Sequence, residues 1–251
     1  MRKLIIYVLI SSTLSIVSFA TLAQQKDQSS KLPELVINTT SKPPFVNKNK
    51  DGFVDILASE AFQRAGASLR IVKLPAERGL INANQGILDG DLTRIKGLEK
   101  LYNNLIRVPE SLRDADFCAL SKKPELSTKK GDLNKHIVGH IKGWKIYEKM
   151  VAGSDKVITT DNAEQLFRLL KLNRIDVALY NCINGLALSK KMNIKEINIL
   201  QPAFPKIKMF LYLNIKHKQL VPKLTKALKD LKAEGVYDRL YHEKVLPHLI
   251  K

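Results

Sequence analysis

The chain has 251 residues, 45% of them apolar and 26% charged, which is enough to bury one large core or two smaller ones. Twelve Gly, ten Pro and two Cys exclude collagen-like, disordered and disulfide-dense classes, and also a multi-Cys zinc module. Forty-two basic residues against 24 acidic ones leave a net charge of +18.

Arg2 and Lys3 precede the apolar run Leu4 to Ile10, a Ser-rich stretch follows, and Thr21-Leu22-Ala23 ends it before Gln24. This order of basic, apolar and small residues reads as an export signal, 1–23, cleaved near Ala23. The competing reading is a membrane anchor, because Leu4 to Ala23 is just long enough to span. Export places Cys118 and Cys182 where disulfides persist; they either pair or remain two buried thiols.

After a polar leader, Leu35-Val36-Ile37 reads as a strand ending in the turn-rich Thr39 to Pro44. Apolar residues at Val54, Leu57, Ala58, Ala61, Phe62 and Ala65 have helical spacing, and Gly66 stops that helix. Leu69–Val72 is a strand, Glu77–Asn84 a helix, Asp89–Leu92 a strand or turn, and Leu105–Val108 a strand. Ile137–His140 leads as a strand into Gly143, with Trp144–Met150 helical. Lys156–Thr160 is a strand, and Asp161 is expected to cap the next helix with Glu164 three residues on. Ile175–Tyr180 and Phe210–Asn214 are strands. Leu220, Leu224, Ala227, Leu228 and Leu231 mark a final helix ending at Gly235. This alternation predicts an α/β fold with mostly parallel sheets.

Motifs for nucleotide, zinc-protease, serine-hydrolase or dithiol chemistry are absent from the sequence. His136 and His140 are four apart but complete no metal site. No cofactor or metal is expected.

Three segments carry a resemblance. The first is Lys42-Pro43-Pro44-Phe45, then Gly52 to Ile56 opening a helix that closes at Arg64-Ala65-Gly66. The second is Leu74-Pro75-Ala76-Glu77-Arg78, then Gly86 to Arg94. The third is Tyr212-Leu213-Asn214, a Lys-rich turn, Leu224–Leu231 and Gly235-Val236-Tyr237. Together with the leader they resemble the bacterial extracellular solute-binding proteins of family 3, the polar-amino-acid type. The resemblance implies a two-lobed periplasmic-binding-protein-like fold with a ligand cleft between the lobes. Lobe 1 would be 24–118 plus 206–251, and lobe 2 would be 119–205. Hinges are expected near Phe117–Leu120 and Ala203–Lys208. It further implies a periplasmic monomer without enzymatic activity that captures a small polar solute, with an ABC permease or a signalling protein as partner.

Position within this frame nominates ligand-binding residues. Phe45 is a stacking wall for ligand or a plug between loop and core. Arg94 and Arg78 offer planar forks to an anion; Arg78 alternatively pairs with Glu77. Asp91 binds a ligand cation or orients Arg94. Gly143-Trp144 open a helix whose N–H groups are candidates for an anion, and Trp144 lines the cleft or sits in the core. Thr159 and Thr160 donate hydroxyls or cap a helix. Tyr180 and Asn181 end the clearest lobe 2 strand and are expected at the cleft. Two departures from the family weaken a standard α-amino acid as ligand. Asn181, uncharged, stands five positions after Asp176 where an acidic residue holds the α-ammonium, and Thr93 and Arg94 are adjacent rather than spaced as Thr-x-x-Arg.

The excess charge lies away from these motifs. Residues 24–118 carry 14 basic and 12 acidic residues, whereas 119–205 and 206–251 are each at +7. Lys216, Lys218, Lys223, Lys226, Lys229 and Lys232 line the tail as a solvated face or a contact for anionic surfaces. Nucleic acid is not an expected partner. Two other functions stay open: a dehydratase-like enzyme on the same scaffold using Glu77, Asp91 or His140, and a module that binds anionic surfaces through its Lys face.

Overall fold

A computed structural model describes residues 32–248; the expected export signal, 1–23, lies outside the described residues. Two five-stranded sheets organise the chain. The first runs in the order β2-β1-β3-β10-β4, with β1 Glu34–Asn38, β2 Ser68–Val72, β3 Gly90–Arg94, β4 Leu105–Ala115 and β10 Ile207–Asn214. The second runs β7-β6-β8-β5-β9, with β5 Phe117–Ser121, β6 Val138–Ile141, β7 Val157–Thr160, β8 Val177–Asn181 and β9 Asn198–Ile199. The chain passes from the first sheet to the second at Asp116 and returns between Ile199 and Ile207. The α/β alternation is as expected, but neither sheet is mostly parallel. β1 pairs parallel with β2 and β3, whereas β10 runs antiparallel to both β3 and β4. In the second sheet β6 pairs parallel with β7 and β8, and β5 antiparallel with β8 and β9. The antiparallel members are the strands that carry the chain across.

Period-2 alternation drives both strand faces into apolar cores. Leu35, Ile37, Leu211 and Leu213 pack against helices α1 Phe53–Arg64, α6 Val221–Ala233 and α7 Val236–Lys244. Val36, Phe210 and Tyr212 face the other way, toward Leu80 and Ala83 of α2 Ala76–Asn84. In α1 the spaced residues Val54, Leu57, Ala58, Ala61 and Phe62 are all buried, and the Val, Leu and Phe side chains each contribute roughly 1.5–3 kcal/mol when fully buried. Asp55 accepts from the backbone N–H of Gly52 and of Asn47, satisfying donors at the helix start. The second sheet buries Val177 and Leu179 on one face with Tyr147 of α3 Lys145–Met150. On the other face it buries Ala178 and Tyr180 with Leu166, Phe167 and Leu170 of α4 Ala163–Lys171. Helix α5, Cys182–Lys191, follows β8 directly.

Two local expectations change. Asn162, not Asp161, is the N-cap of α4: its side chain accepts from Gln165 N, because the helix starts one residue later than the capping-box spacing suggests. β4 runs on past Val108 through Pro109 to Ala115. β4 is an edge strand, where a missing N–H breaks no ladder, so Pro109 does not end it.

Cys118 and Cys182 form a disulfide, with Cα atoms 5.1 Å apart. It ties β5 to the first turn of α5. The tail lysines divide. Lys216 pairs with Asp89, Lys226 with Asp230 and Lys232 with Glu110, whereas Lys218, Lys223 and Lys229 are exposed. No helix of the described residues is long and apolar enough to cross a membrane.

Candidate functional site

The loops leaving β1, β3 and β6 and the end of β8 converge on one place, where open α/β sheets gather polar groups at strand C-termini. The crossing strands pass behind it and supply Arg113, Ala115, Phe117 and Met209. Together these enclose an inner cavity of about 60 Å³. An outer chamber of about 360 Å³ adjoins it, sharing Thr40, Ser41, Lys42, Trp144 and Tyr180 as walls. Both lobes contribute to each chamber.

Arg94 anchors the lobe 1 wall. Its Nε and Nη2 donate to Asp91 Oδ1 and Oδ2 at 2.8 and 2.7 Å, and Nη2 also reaches the Ala76 carbonyl at 3.0 Å. Asp91 is fully buried and accepts in addition from Asn38 Nδ2 at 2.9 Å. Burial pushes the Asp91 carboxyl up from its ordinary value against the pull of Arg94. Of the two readings of Asp91, the geometry is that of a residue orienting Arg94; it lines neither chamber. The backbone beside the pair is strained. Thr93, β-branched, has φ +58, and its hydroxyl is held by Ser41 Oγ at 2.8 Å. Such a conformation costs about 1–3 kcal/mol and persists where the surroundings over-determine it.

Phe45 is 5% exposed at the inner cavity. Its edge meets Phe53, and one ring face is covered by the Arg113 guanidinium, 3.8 Å from the centroid. That face is therefore closed to a stacking ligand. Arg113 itself escaped the sequence analysis, because ending the strand at Val108 left it outside any element. Burial, the largest influence, pulls it down to about 10.

Lobe 2 presents rings and amides. Trp144 stacks on Tyr180 with centroids 5.0 Å apart and on Tyr147 at 5.9 Å, while lining both chambers. It is cleft wall and core at once. Asn181 lines the inner cavity, accepts from Asn184 N as the N-cap of α5, and donates to the Asp116 carbonyl at the crossover. Tyr180 lines both chambers, and burial holds its hydroxyl well above the ordinary tyrosine range.

Three expectations fail on geometry. Arg78 is exposed on α2 and lines neither chamber, because Ala76, Gly79, Leu80 and Ala83 form the inward face and turn it away. The N–H groups of Gly143 and Trp144 are taken by Glu148 Oε1 and the Ile141 carbonyl, so they do not await an anion. Thr159 is exposed and Thr160 bonds backbone carbonyls; neither lines a chamber. The residues named for acid–base chemistry are also elsewhere. Glu77 bonds Tyr102 and Lys145, and His140 is buried on β6. Among the described residues no cluster of His, Cys, Asp and Glu is arranged to hold a metal.

The lobes meet at the mouth. Lys145 of lobe 2 bridges Glu77 of lobe 1 at 2.8 Å and its own Glu148 at 2.9 Å. Burial alone would lower Lys145, but the hydrogen bonds to Glu148 and Glu77 hold it above its ordinary value. Lys42 faces Glu164 across the gap at 3.4 Å. Gly143, with φ +82, lies so near α2 that a Cβ there would sit 2.3 Å from the backbone nitrogen of Glu77.

The fold is that of periplasmic binding proteins. A histidine kinase sensor domain with similarity to periplasmic binding proteins superposes with a TM-score of 0.74 at 12% identity, over 86% of this chain and 97% of its own. An arginine 3rd transport system periplasmic binding protein from Legionella pneumophila gives 0.66 at 20% identity, over 84% and 99%. The GluR0 ligand-binding core from Nostoc punctiforme, in complex with L-glutamate, gives 0.69 at 16% identity, over 84% and 99%. No family model matches the chain, and no curated protein sequence matches it.

Proposed function

We propose that this protein is an exported, non-enzymatic solute receptor that captures a small polar molecule between its lobes by hinge closure and presents it to an ABC importer or a signalling partner. The observation that carries the reading is the cavity itself. Arg94, Arg113, Trp144, Tyr180 and Asn181 come from both sides of the cleft and line one cavity. The bridges Lys145–Glu77 and Lys42–Glu164 span the mouth and fit a closed state that separates when the lobes rotate. Hinges at Asp116 and within 200–206, where the chain crosses, are the economical pivots; the expected Phe117–Leu120 lies inside β5, and the expected Ala203–Lys208 overlaps the return crossing. The fold shared with arginine-binding periplasmic proteins and with a kinase sensor domain supports both partner types.

A thermal-shift screen of residues 24–251 against amino acids, organic acids, polyamines and small peptides tests this. A ligand at roughly 100 times its dissociation constant adds about 2.7 kcal/mol, a visible shift. A hit lost in Trp144→Ala supports the cleft. Silence across the panel, together with a scattering profile unchanged by every compound, overturns the reading.

A further inference from the structure

The cations around the cleft differ in one respect. Arg94 is matched by Asp91, Lys145 by Glu77 and Glu148, and Lys42 by Glu164. Arg113 has no such contact: among the described residues no carboxylate forms an ion pair with it, and Asp114 and Asp116 act on it only from farther off. Its side chain donates from Nη1 to the Asp114 carbonyl at 2.9 Å. Its Nε is buried without a hydrogen-bond partner, and its guanidinium lies over the Phe45 ring. Yet Arg113 is 8% exposed, and it lines the inner cavity. A buried guanidinium without a counter-ion is costly, and a ligand that brings the charge removes that cost.

The remaining lining gives the rest of the ligand. No Asp or Glu lines the inner cavity, so nothing there offers a carboxylate to an ammonium group; Asp161 lines only the outer chamber. Asn181, five positions after Asp176, has its oxygen and its amide nitrogen both engaged by the protein. Ile95, Leu98, Phe117, Ile146 and Met209 supply an apolar stretch of wall, beside the polar Thr40, Ser41, Thr93 and Asn184.

We infer that the cleft selects a small carboxylate with an apolar body and no ammonium group, its carboxylate received by the unpaired Arg113. The planar fork of Arg matches a carboxylate, and the apolar stretch of wall takes the aliphatic or aryl body. This rests on the receptor reading above and narrows it, since a zwitterionic amino acid brings a cation that the cavity leaves unpaired.

Matched pairs test it: 4-methyl-2-oxopentanoate against L-leucine, and phenylpyruvate against L-phenylalanine, titrated calorimetrically onto residues 24–251. The ammonium-free member is expected to bind at least about tenfold more tightly in each pair, as polar mismatch in a closed site commonly exceeds that. Arg113→Met abolishes this binding and Arg113→Lys weakens it. Because Arg113 has no counter-ion, the melting temperature of ligand-free Arg113→Met is expected to hold or rise, so lost binding is not lost folding. Amino acids binding as tightly as their ammonium-free partners, or retained by Arg113→Met, overturn the inference while the receptor reading stands. Inorganic phosphate binding where carboxylates fail also overturns it. No binding in either series overturns the inference, and the wider screen then decides the receptor reading separately.

Discussion

The two sides of the cleft are built from different physics. Lobe 1 presents charge set in a buried polar lattice: Asn38, Asp91 and Arg94 bonded in series, with Ser41 and Thr93 alongside. Lobe 2 presents rings, Trp144 on Tyr180 and Tyr147 with Phe117 edge-on, and braces them with a disulfide. The first kind of wall gives direction and charge selection but fails abruptly when one partner is removed. The second gives shape and tolerates substitution in smaller steps.

The sharpest way to break this contrast is Asp91→Ala. It strands Arg94 as an unpaired buried charge and is expected to cost about 3–5 kcal/mol in urea unfolding. A loss under about 1 kcal/mol would place the lattice on the tolerant side of the comparison. On the lobe 2 side, the double variant Cys118→Ser/Cys182→Ser opens a crosslink across a sequence separation of 64 residues. It is expected to lose about 2–4 kcal/mol by the same measurement, with ligand selectivity unchanged.

Where the two walls meet, Gly143→Ala is expected to hold the lobes apart, since the added Cβ meets backbone rather than a flexible side chain. Small-angle scattering should show a larger radius of gyration, and ligand affinity should fall about tenfold as the closed state is depopulated. Gly153→Ala is the control. Its φ of +84 carries the same backbone strain, with nothing within 4 Å of the new Cβ, and it should leave both readings alone.

The smallest effect concerns pH. Burial raises Asp89, but Lys216, the Val36 N–H and His217 outweigh it and hold the carboxyl below its ordinary 3.8. Its contribution is therefore present above that value and is lost as pH falls through the folded value. Asp89→Asn is expected to cost about 1 kcal/mol at pH 7 and to flatten the acid limb of the stability curve. An acid limb identical to that of the parent chain would show that Asp89 is not what holds this end of lobe 1.

Much of the fold was legible in residue order. The spacing of Val54 to Phe62, the apolar run at Ile175 to Tyr180 and the stops at Gly66 and Gly235 are local signals, and the elements stand within a few residues of them. Phe45, Arg94, Trp144, Tyr180 and Asn181 were legible as candidates because strand-end loops are predictable, and all five line the inner cavity. Arg113 was not. Its strand continues through Pro109 only because β10 pairs along one side while the other edge stays open, and pairing partners 90 or more residues apart leave no local trace.

What the sequence determined by itself, then, was the α/β alternation and the polar loops that close each strand, because these follow from periodicity and turn chemistry over a few residues. Only the tertiary structure decided that each sheet is mixed, that Asp91 neutralises Arg94 while Arg113 stays unpaired, that Cys118 meets Cys182, and that Arg78 faces away. Each of those depends on which distant groups share one desolvated space, and there burial and pairing, rather than residue type, set the energy of a charge.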